Sequence, residues 1–232
     1  DSTRTFTDPT NTQLGAWRSR WDTNEAFVML QPYLQWKYFL SDKLTLSLGA
    51  SSLYNSINTN SFTSFEPRAG LAWDLPDRQK LTFAVSLHSQ MMPTYTYFYE
   101  PAAAGTPSRM QNRNVGLTKS WHWVTGYSRL LGQNMRLLAQ AYYQRLFDVP
   151  VEASPGSSFS ILNTGSAFTR IFPNQLANQG IGRNYGVELT LEKFFSQGYY
   201  FLITSSLFDS RYRANDGVWR NTDFNGRYAF NA

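Results

Sequence analysis

Short and long connections alternate along this 232-residue chain, and the segments they join repeat every two residues, as strands do, not every 3.6. In residues 44–52, Leu44, Leu46, Leu48 and Ala50 share one face and Thr45, Ser47, Gly49 and Ser51 the other. Residues 80–90 set Leu81, Phe83, Val85 and Leu87 against Thr82, Ala84, Ser86, His88 and Gln90. In 135–149, Leu137, Ala139, Ala141 and Tyr143 oppose Arg136, Leu138, Gln140, Tyr142 and Gln144. In 183–195, Arg183, Tyr185, Val187, Leu189 and Leu191 oppose Asn184, Gly186, Glu188, Thr190 and Glu192. Residues 25–40, 64–75, 117–130, 199–213 and, in part, 223–231 also read as strands, about nine in all. Four links have the chemistry of tight hairpins: Ser41-Asp42-Lys43, Pro76-Asp77-Arg78-Gln79, Gly132-Gln133-Asn134 and Ser196-Gln197-Gly198. The intervening links, 55–63, 92–116, 150–180 and 214–222, are longer. Antiparallel hairpins reverse direction each time, so all tight turns fall at one end of the sheet and all long loops at the other. That asymmetry, with strands longer than the roughly 5–6 residues of soluble sheets, predicts an all-β fold, an antiparallel up-and-down transmembrane β-barrel.

Composition narrows the alternatives. Charged residues make up 16% and hydrophobic ones 42%, against roughly 25% charged in ordinary soluble domains. No stretch approaches the roughly 18 consecutive apolar residues of a membrane-spanning helix. The absence of Cys excludes disulfide scaffolds, thiolate metal sites and cysteine nucleophiles. The net charge of +5 is scattered over 21 basic and 16 acidic residues without a dense basic run, so no nucleic-acid partner is expected. Residues 1–24 have neither a basic nor an apolar signal region, which reads as either a cytosolic protein or a piece of something longer. They precede a strand running toward a tight turn, and are expected as an external loop. Trp36, Tyr38, Phe39, Trp73, Phe194, Phe195, Tyr199 and Tyr200 cluster beside the tight turns, where amphipathic rings would form the inner girdle of a barrel.

In hydrocarbon every backbone amide must find a partner, so a sheet survives only by closing, with apolar side chains toward lipid and polar ones toward the lumen. Glu66, Arg68, Asp74, Glu188 and Glu192 are therefore expected to face the lumen. No catalytic residue, metal ligand set or cofactor is expected, and the chain does not read as an enzyme. His88 and His122 lie far apart in sequence, and Gly180-Ile181-Gly182 lacks the rest of a dinucleotide fingerprint. Ligand contacts, if this segment makes them, are expected in the long loop 91–113, where Tyr95, Tyr97, Phe98 and Tyr99 accompany Arg109 and Arg113. Against this stands the simpler expectation that those rings pack on neighbouring loops. The 150–180 loop, with Pro155-Gly156-Ser157-Ser158, is expected to carry an external tip.

Four motifs, in order, carry a family resemblance over most of residues 25–231. Phe65-Glu66-Pro67-Arg68-Ala69-Gly70-Leu71-Ala72-Trp73 is similar to a PR-x-G-x-x-W strand, and Ala141 through Asp148 to a Y-Y-x-x-x-x-D strand. Asn178-Gln179-Gly180 followed by Gly182 through Lys193 resembles an N-x-G segment and the YGVEL strand after it. Asp223 through Asn231 resembles a D-x-x-x-R-x-x-x-N strand. Together they resemble TonB-dependent outer-membrane receptors of Bacteroidetes type. The resemblance implies nutrient import across the outer membrane of a Gram-negative bacterium, by a barrel of typically 22 strands around an N-terminal plug bearing the TonB box. Plug and box are not in these 232 residues, so the whole chain is expected as a partial barrel domain. The implied partners are outer-membrane lipid, a nutrient of unknown identity, the TonB complex acting through the missing plug, and a surface lipoprotein. A complete small porin or adhesin barrel and a soluble all-β ligand-binding module remain as alternatives.

Overall fold

The computed structural model describes residues 2–4, 17–58, 60, 64–100, 110–165 and 170–232. In chain order the strands are β1 (Ser2–Arg4), β2 (Trp17–Ser19), β3 (Met29–Leu30), β4 (Tyr33–Ser41), β5 (Leu44–Ser51), β6 (Tyr54–Asn55), β7 (Glu66–Leu75) and β8 (Gln79–Gln90). After the short helix α1 (Thr94–Phe98) come β9 (Thr118–Leu131), β10 (Met135–Glu152), a 3-10 turn at Ile161–Asn163, β11 (Leu176–Ser196), β12 (Tyr199–Arg213), β13 (Trp219–Asn221) and β14 (Tyr228–Asn231). β1 pairs with β2 and β3 with β6 as small ribbons, and the other ten strands form one antiparallel sheet. Its order is β4-β5-β7-β8-β9-β10-β11-β12, with β13 and β14 both on the far edge of β12. Within this sheet each strand pairs with the one before it in the chain, except that β7 follows β5 and β14 returns to β12, and β4 does not pair with β13 or β14, so the sheet is an unclosed part of an up-and-down barrel.

Turn chemistry sets this course. Gln197 and Gly198 have φ of 53° and 85°, the two left-handed central residues of a type I′ hairpin, whose twist matches that of the strands it joins. Two other hairpins close over three residues each, with Asp77 and Arg78 (both φ 56°) in one and Gly132 (φ 66°) in the other taking the left-handed conformation. Adjacent turns are tied together: the Leu130 amide donates to the Arg78 carbonyl and the Phe194 amide to the Asn134 carbonyl.

Pairing register decides which side chains share a face. Tyr38, Leu46, Leu71, Phe83, Thr125, Ala141, Val187, Leu207 and Tyr228 lie opposite one another across nine strands. The next row toward the tight turns reads Leu44, Trp73, Leu81, Tyr127, Ala139, Leu189, Ser205 and Phe230. Among the described residues nothing packs on this apolar face: Phe83, Leu189 and Leu207 are 50%, 50% and 60% exposed. A sandwich would bury these rows under a second sheet. Instead, the buried side chains gather where the long connections meet, around Ile57, Met92, Tyr97, Phe98, Val115 and Leu176, with Val151, Tyr212 and Ala214 beside them.

A second aromatic band lies toward the long connections. Trp123, Tyr143 and Tyr185 are successive cross-strand partners, with the Trp123 and Tyr143 rings 5.7 Å apart and Trp121 stacked on Trp123 at 6.0 Å. The ten residues from Tyr185 to Phe195 span roughly 33 Å of strand. At a tilt of about 40° that is about 25 Å of height, the thickness of the apolar belt of an outer-membrane barrel. At the tight-turn end, Lys193 bends away from the belt and donates to the Ser196 and Tyr199 carbonyls and the Ser196 hydroxyl, with its ammonium 3.8 Å from the centre of the Tyr199 ring.

The structure differs from the expected spans in four places. The first strand begins at Tyr33, because Pro32 offers no amide to the ladder, and residues 29–30 turn aside to β6. The 150–180 loop is shorter, since β10 and β11 stay paired to Glu152↔Leu176. Helix α1 interrupts the 92–116 loop. The ninth strand is two pieces, β13 and β14, separated by residues 222–227, where Arg227 takes φ 65°.

The long β10–β11 ladder survives a bulge at Asp148 (φ 52°) because Asn178 fills it. The Asn178 amide group donates to the Asp148 carbonyl (2.7 Å) and the Gly116 carbonyl (3.2 Å), and its oxygen accepts from the Gly116 amide (2.7 Å). Two residues on, Gly180 lies so close to β10 that a Cβ would meet Val151 Cγ1 at 2.4 Å. Asn and Gly at this spacing thus have a backbone reason. Asn178→Ala orphans these groups and is expected to cost roughly 1–2 kcal/mol, seen as a lower denaturation midpoint and faster amide exchange at Gly116.

Candidate functional site

The face opposite the apolar one is lined by polar side chains at one height. Gln35, Gly49, Arg68, Ser86, His122, Gln144, Asn184 and Ser210 are directly opposed partners across eight strands, every one polar or glycine. Hydrogen bonds knit parts of the row: Asn184 donates to Gln144 Oε1 (3.0 Å), Ser210 donates to Asn184 Oδ1 (2.8 Å), and the Ser210 and Thr222 hydroxyls lie 2.8 Å apart. Beside it, Glu66 is 1% exposed and accepts from the Ser51 and Ser64 hydroxyls (2.8 and 3.1 Å) and the Ser89 amide (3.0 Å). Arg68 reaches Ser51 Oγ at 3.0 Å and lies 3.6 Å from the Glu66 carboxylate.

All five acidic or basic residues singled out from the alternation lie on this face. Asp74 opposes Lys80 and pairs with it at 3.1 Å, Glu192 opposes Arg136 and pairs with it at 2.6 Å, and Glu188 stands opposite Gln140 and Ser206. His88 and His122, 34 positions apart in sequence, are diagonal neighbours once β8 and β9 pair, with ring centres 4.6 Å apart. Both line a cavity of about 620 Å³ under the loops, with Met91, Ser120, Gln144, Ile161 and Thr164. Among the described residues no group of three or more His, Cys, Asp or Glu side chains is placed to hold a metal ion.

The aromatic loop residues are drawn into packing. Tyr97 is 0% exposed, with its hydroxyl 3.4 Å from the Met92 amide, and Tyr99 is 8% exposed, its ring 5.4 Å from that of Phe172. Arg113 pairs with Glu25 at 2.5 Å and lies 4.9 Å from the centre of the Phe98 ring. Arg109 lies outside the described residues. Tyr95 keeps part of its surface: its ring stacks on Trp21 at 5.6 Å and its hydroxyl accepts from the Ile171 amide. Around it Trp21, Tyr95 and Phe172 form a half-buried aromatic cluster, with the Arg20 guanidinium 3.7 Å over Phe172 and that of Arg170 5.6 Å over Trp21. The sequence carried no local signal for it, because its members come from three connections, each more than 70 residues from the next. Asn112, fully buried, joins two of these loops by accepting from the Leu176 amide at 2.8 Å and donating to the Pro173 carbonyl at 3.3 Å. In the loop after β12, hydrogen bonds from the Arg220 guanidinium and the Val218 amide hold the Asp216 carboxyl below the usual carboxylate range.

The arrangement pairs a polar face with a roof of packed, aromatic-rich loops, whose rings and guanidinium groups can stack and hydrogen-bond. A family model described as TonB dependent receptor-like, β-barrel, matches residues 1–232. No curated protein matches the chain. Among solved structures, it is similar to the RagAB peptide transporter at 12% identity, with a TM-score of 0.58 over 86% of this chain and 23% of that one. It is also similar to the FrpB iron transporter from Neisseria meningitidis (F3-3 variant), at 13% identity and a TM-score of 0.51 over 81% of this chain and 27% of that one. At such identity the likeness is one of fold, and the chain spans about a quarter of each structure.

Proposed function

Because this chain belongs to the TonB-dependent receptor β-barrel family, we propose that it forms part of the wall and external loops of a receptor that imports a nutrient across the outer membrane. The observation that carries this reading is the two-faced sheet: one face is apolar and bare across nine strands, and the other holds an unbroken polar row beneath packed loops. The apolar face meets lipid, and Glu66, Arg68, Asp74, Glu188 and Glu192 line the lumen. Residues 20–28 and the long connections lie outside the cell, and the tight turns face the periplasm. Nutrient contacts fall on the partly exposed Trp21, Tyr95, Phe172, Arg20 and Arg170 cluster, where rings and guanidinium groups can stack on and hydrogen-bond a polar solute; Arg113 and Arg109 belong to the same loop. Tyr97 and Tyr99 hold the loops in shape. The plug and the TonB contact are supplied by the rest of the receptor, a surface lipoprotein docks on the loops, and the segment catalyses no reaction.

These 232 residues have no Cys, so orientation is testable with single substitutions in a full receptor whose cysteines elsewhere, where present, are replaced by Ser. Gly156, at the tip of the β10–β11 loop, has no heavy atom within 4 Å of an added Cβ; Gln133 lies in the β9–β10 tight turn. On intact cells a membrane-impermeant maleimide should label Gly156→Cys and spare Gln133→Cys, with both labelled after lysis. Labelling of Gln133→Cys alone, or of neither until lysis, would refute the reading.

A further inference from the structure

The apolar face carries one feature that a lipid-facing surface does not need. Arg145, Arg183 and Arg211 are directly opposed on β10, β11 and β12, one row above Tyr143 and Tyr185, on the same face as Leu189 and Leu207. Arg213 stands two residues farther along β12, and Trp121 lies opposite Arg145. Like charges placed directly opposite in a sheet repel, so such a row asks for a compensating anion. The chain supplies little. Asp209 pairs with Arg211 at 2.8 Å and, among the described residues, is the only carboxylate ion-paired with any of the four. The Arg145 side chain has no ion pair or hydrogen bond among the described residues, and Arg183 Nε is buried without an acceptor. The guanidinium groups of Arg183 and Arg213 lie 4.6 and 5.7 Å from the centre of the Trp219 ring, which orients them and leaves their charge uncompensated.

Height identifies the missing anion. Arg183 is twelve residues from Phe195, roughly 40 Å along the strand and about 30 Å along the membrane normal at a 40° tilt. The row therefore lies just beyond an apolar belt of about 25 Å, at the level of the lipid headgroups on the long-loop side. Neighbouring strands are about 4.8 Å apart, so the three guanidinium groups span about 10 Å and present parallel N–H donors suited to phosphate oxygens.

We propose that Arg145, Arg183 and Arg211, with Arg213 and Trp219, form a binding site on the outer wall for phosphate groups of an outer-leaflet lipid. The proposal rests on the membrane reading above and goes beyond it, because a nutrient receptor needs no defined lipid. Native mass spectrometry of the full receptor in mild detergent tests it, using phosphorylated lipid A, the same lipid with its phosphates removed, and inorganic phosphate as probes. The phosphorylated lipid should bind at least tenfold more tightly than the dephosphorylated one. The double variant R145Q/R183Q should erase that preference, and R145K/R183K should restore part of it. Inorganic phosphate in tenfold excess should not displace the lipid.

Equal binding of the two lipids by the unmodified receptor, or an unchanged preference in a folded R145Q/R183Q receptor, would overturn the site. So would displacement by inorganic phosphate, which would make it a site for free anions. If the glutamine variant does not fold, judged by loss of heat-modifiable migration, the two-lipid comparison on the unmodified receptor decides alone. These failures are separable from failure of the membrane reading: a receptor labelled from outside at Gly156→Cys yet indifferent to lipid phosphate loses only the site.

Discussion

Leu189→Arg in the full receptor is expected to destabilise the barrel by about 2–4 kcal/mol, whereas Thr190→Arg, one residue away, should change stability by less than about 1 kcal/mol. Leu189 lies midway between the Tyr185 and Phe195 bands, on the bare face and 50% exposed. Thr190 is on the polar face between Leu138 and Thr204. The magnitude discriminates between media. If water bathed the Leu189 face, a substitution at a half-exposed surface position would stay within about 0.5 kcal/mol. Only a surround that cannot solvate a guanidinium makes one neighbour costly and the other cheap. Urea unfolding of the two variants in lipid vesicles measures the contrast, and every 1.4 kcal/mol is tenfold in the folding equilibrium. Equal effects would remove the case for lipid on that face.

Glu66→Ala should cost about 3 kcal/mol, and Glu66→Gln about 1 kcal/mol. The carboxylate is almost fully buried, and it accepts from two hydroxyls and a backbone amide that join the ends of β5 and β8 to the strand between them. Truncation leaves three donors without an acceptor, at roughly 1 kcal/mol or more each. Glutamine keeps one acceptor oxygen and loses the charge assistance. Little of the loss belongs to the Arg68 pair, because that guanidinium is 45% exposed at 3.6 Å and is screened by solvent. Exchange of the Ser89 amide should quicken markedly in the alanine variant and slightly in the glutamine one. An alanine variant as stable as the parent would mean that water replaces the carboxylate.

The polar row shows how far sequence reading reaches. That Arg68, Ser86, His122, Gln144, Asn184 and Ser210 each lie on the polar face of their own strand follows from alternation. That they stand side by side follows from register. The two histidines illustrate the difference: neither has a local cue to the other, yet a diagonal contact in the β8–β9 ladder brings their rings to 4.6 Å. The same holds for the loop aromatics. Tyr95, Tyr97 and Tyr99 were evident as a cluster in sequence, but their division into one partly exposed ring and two buried ones depends on Trp21 and Phe172 arriving from other connections. Arg145, Arg183 and Arg211 gave no signal at all, being single residues on three strands.

Alternation of side chains every two residues, and of short with long connections, determined an antiparallel sheet with one greasy face and one polar face, because strand geometry turns each successive side chain over and each hairpin reverses the chain. The tertiary structure alone decided which residues meet across the strands and which loop rings are covered. Register depends on the bulge at Asp148, the bracket of Asn178 and the twist of each turn, and these couple segments dozens of residues apart through contacts that no local periodicity encodes.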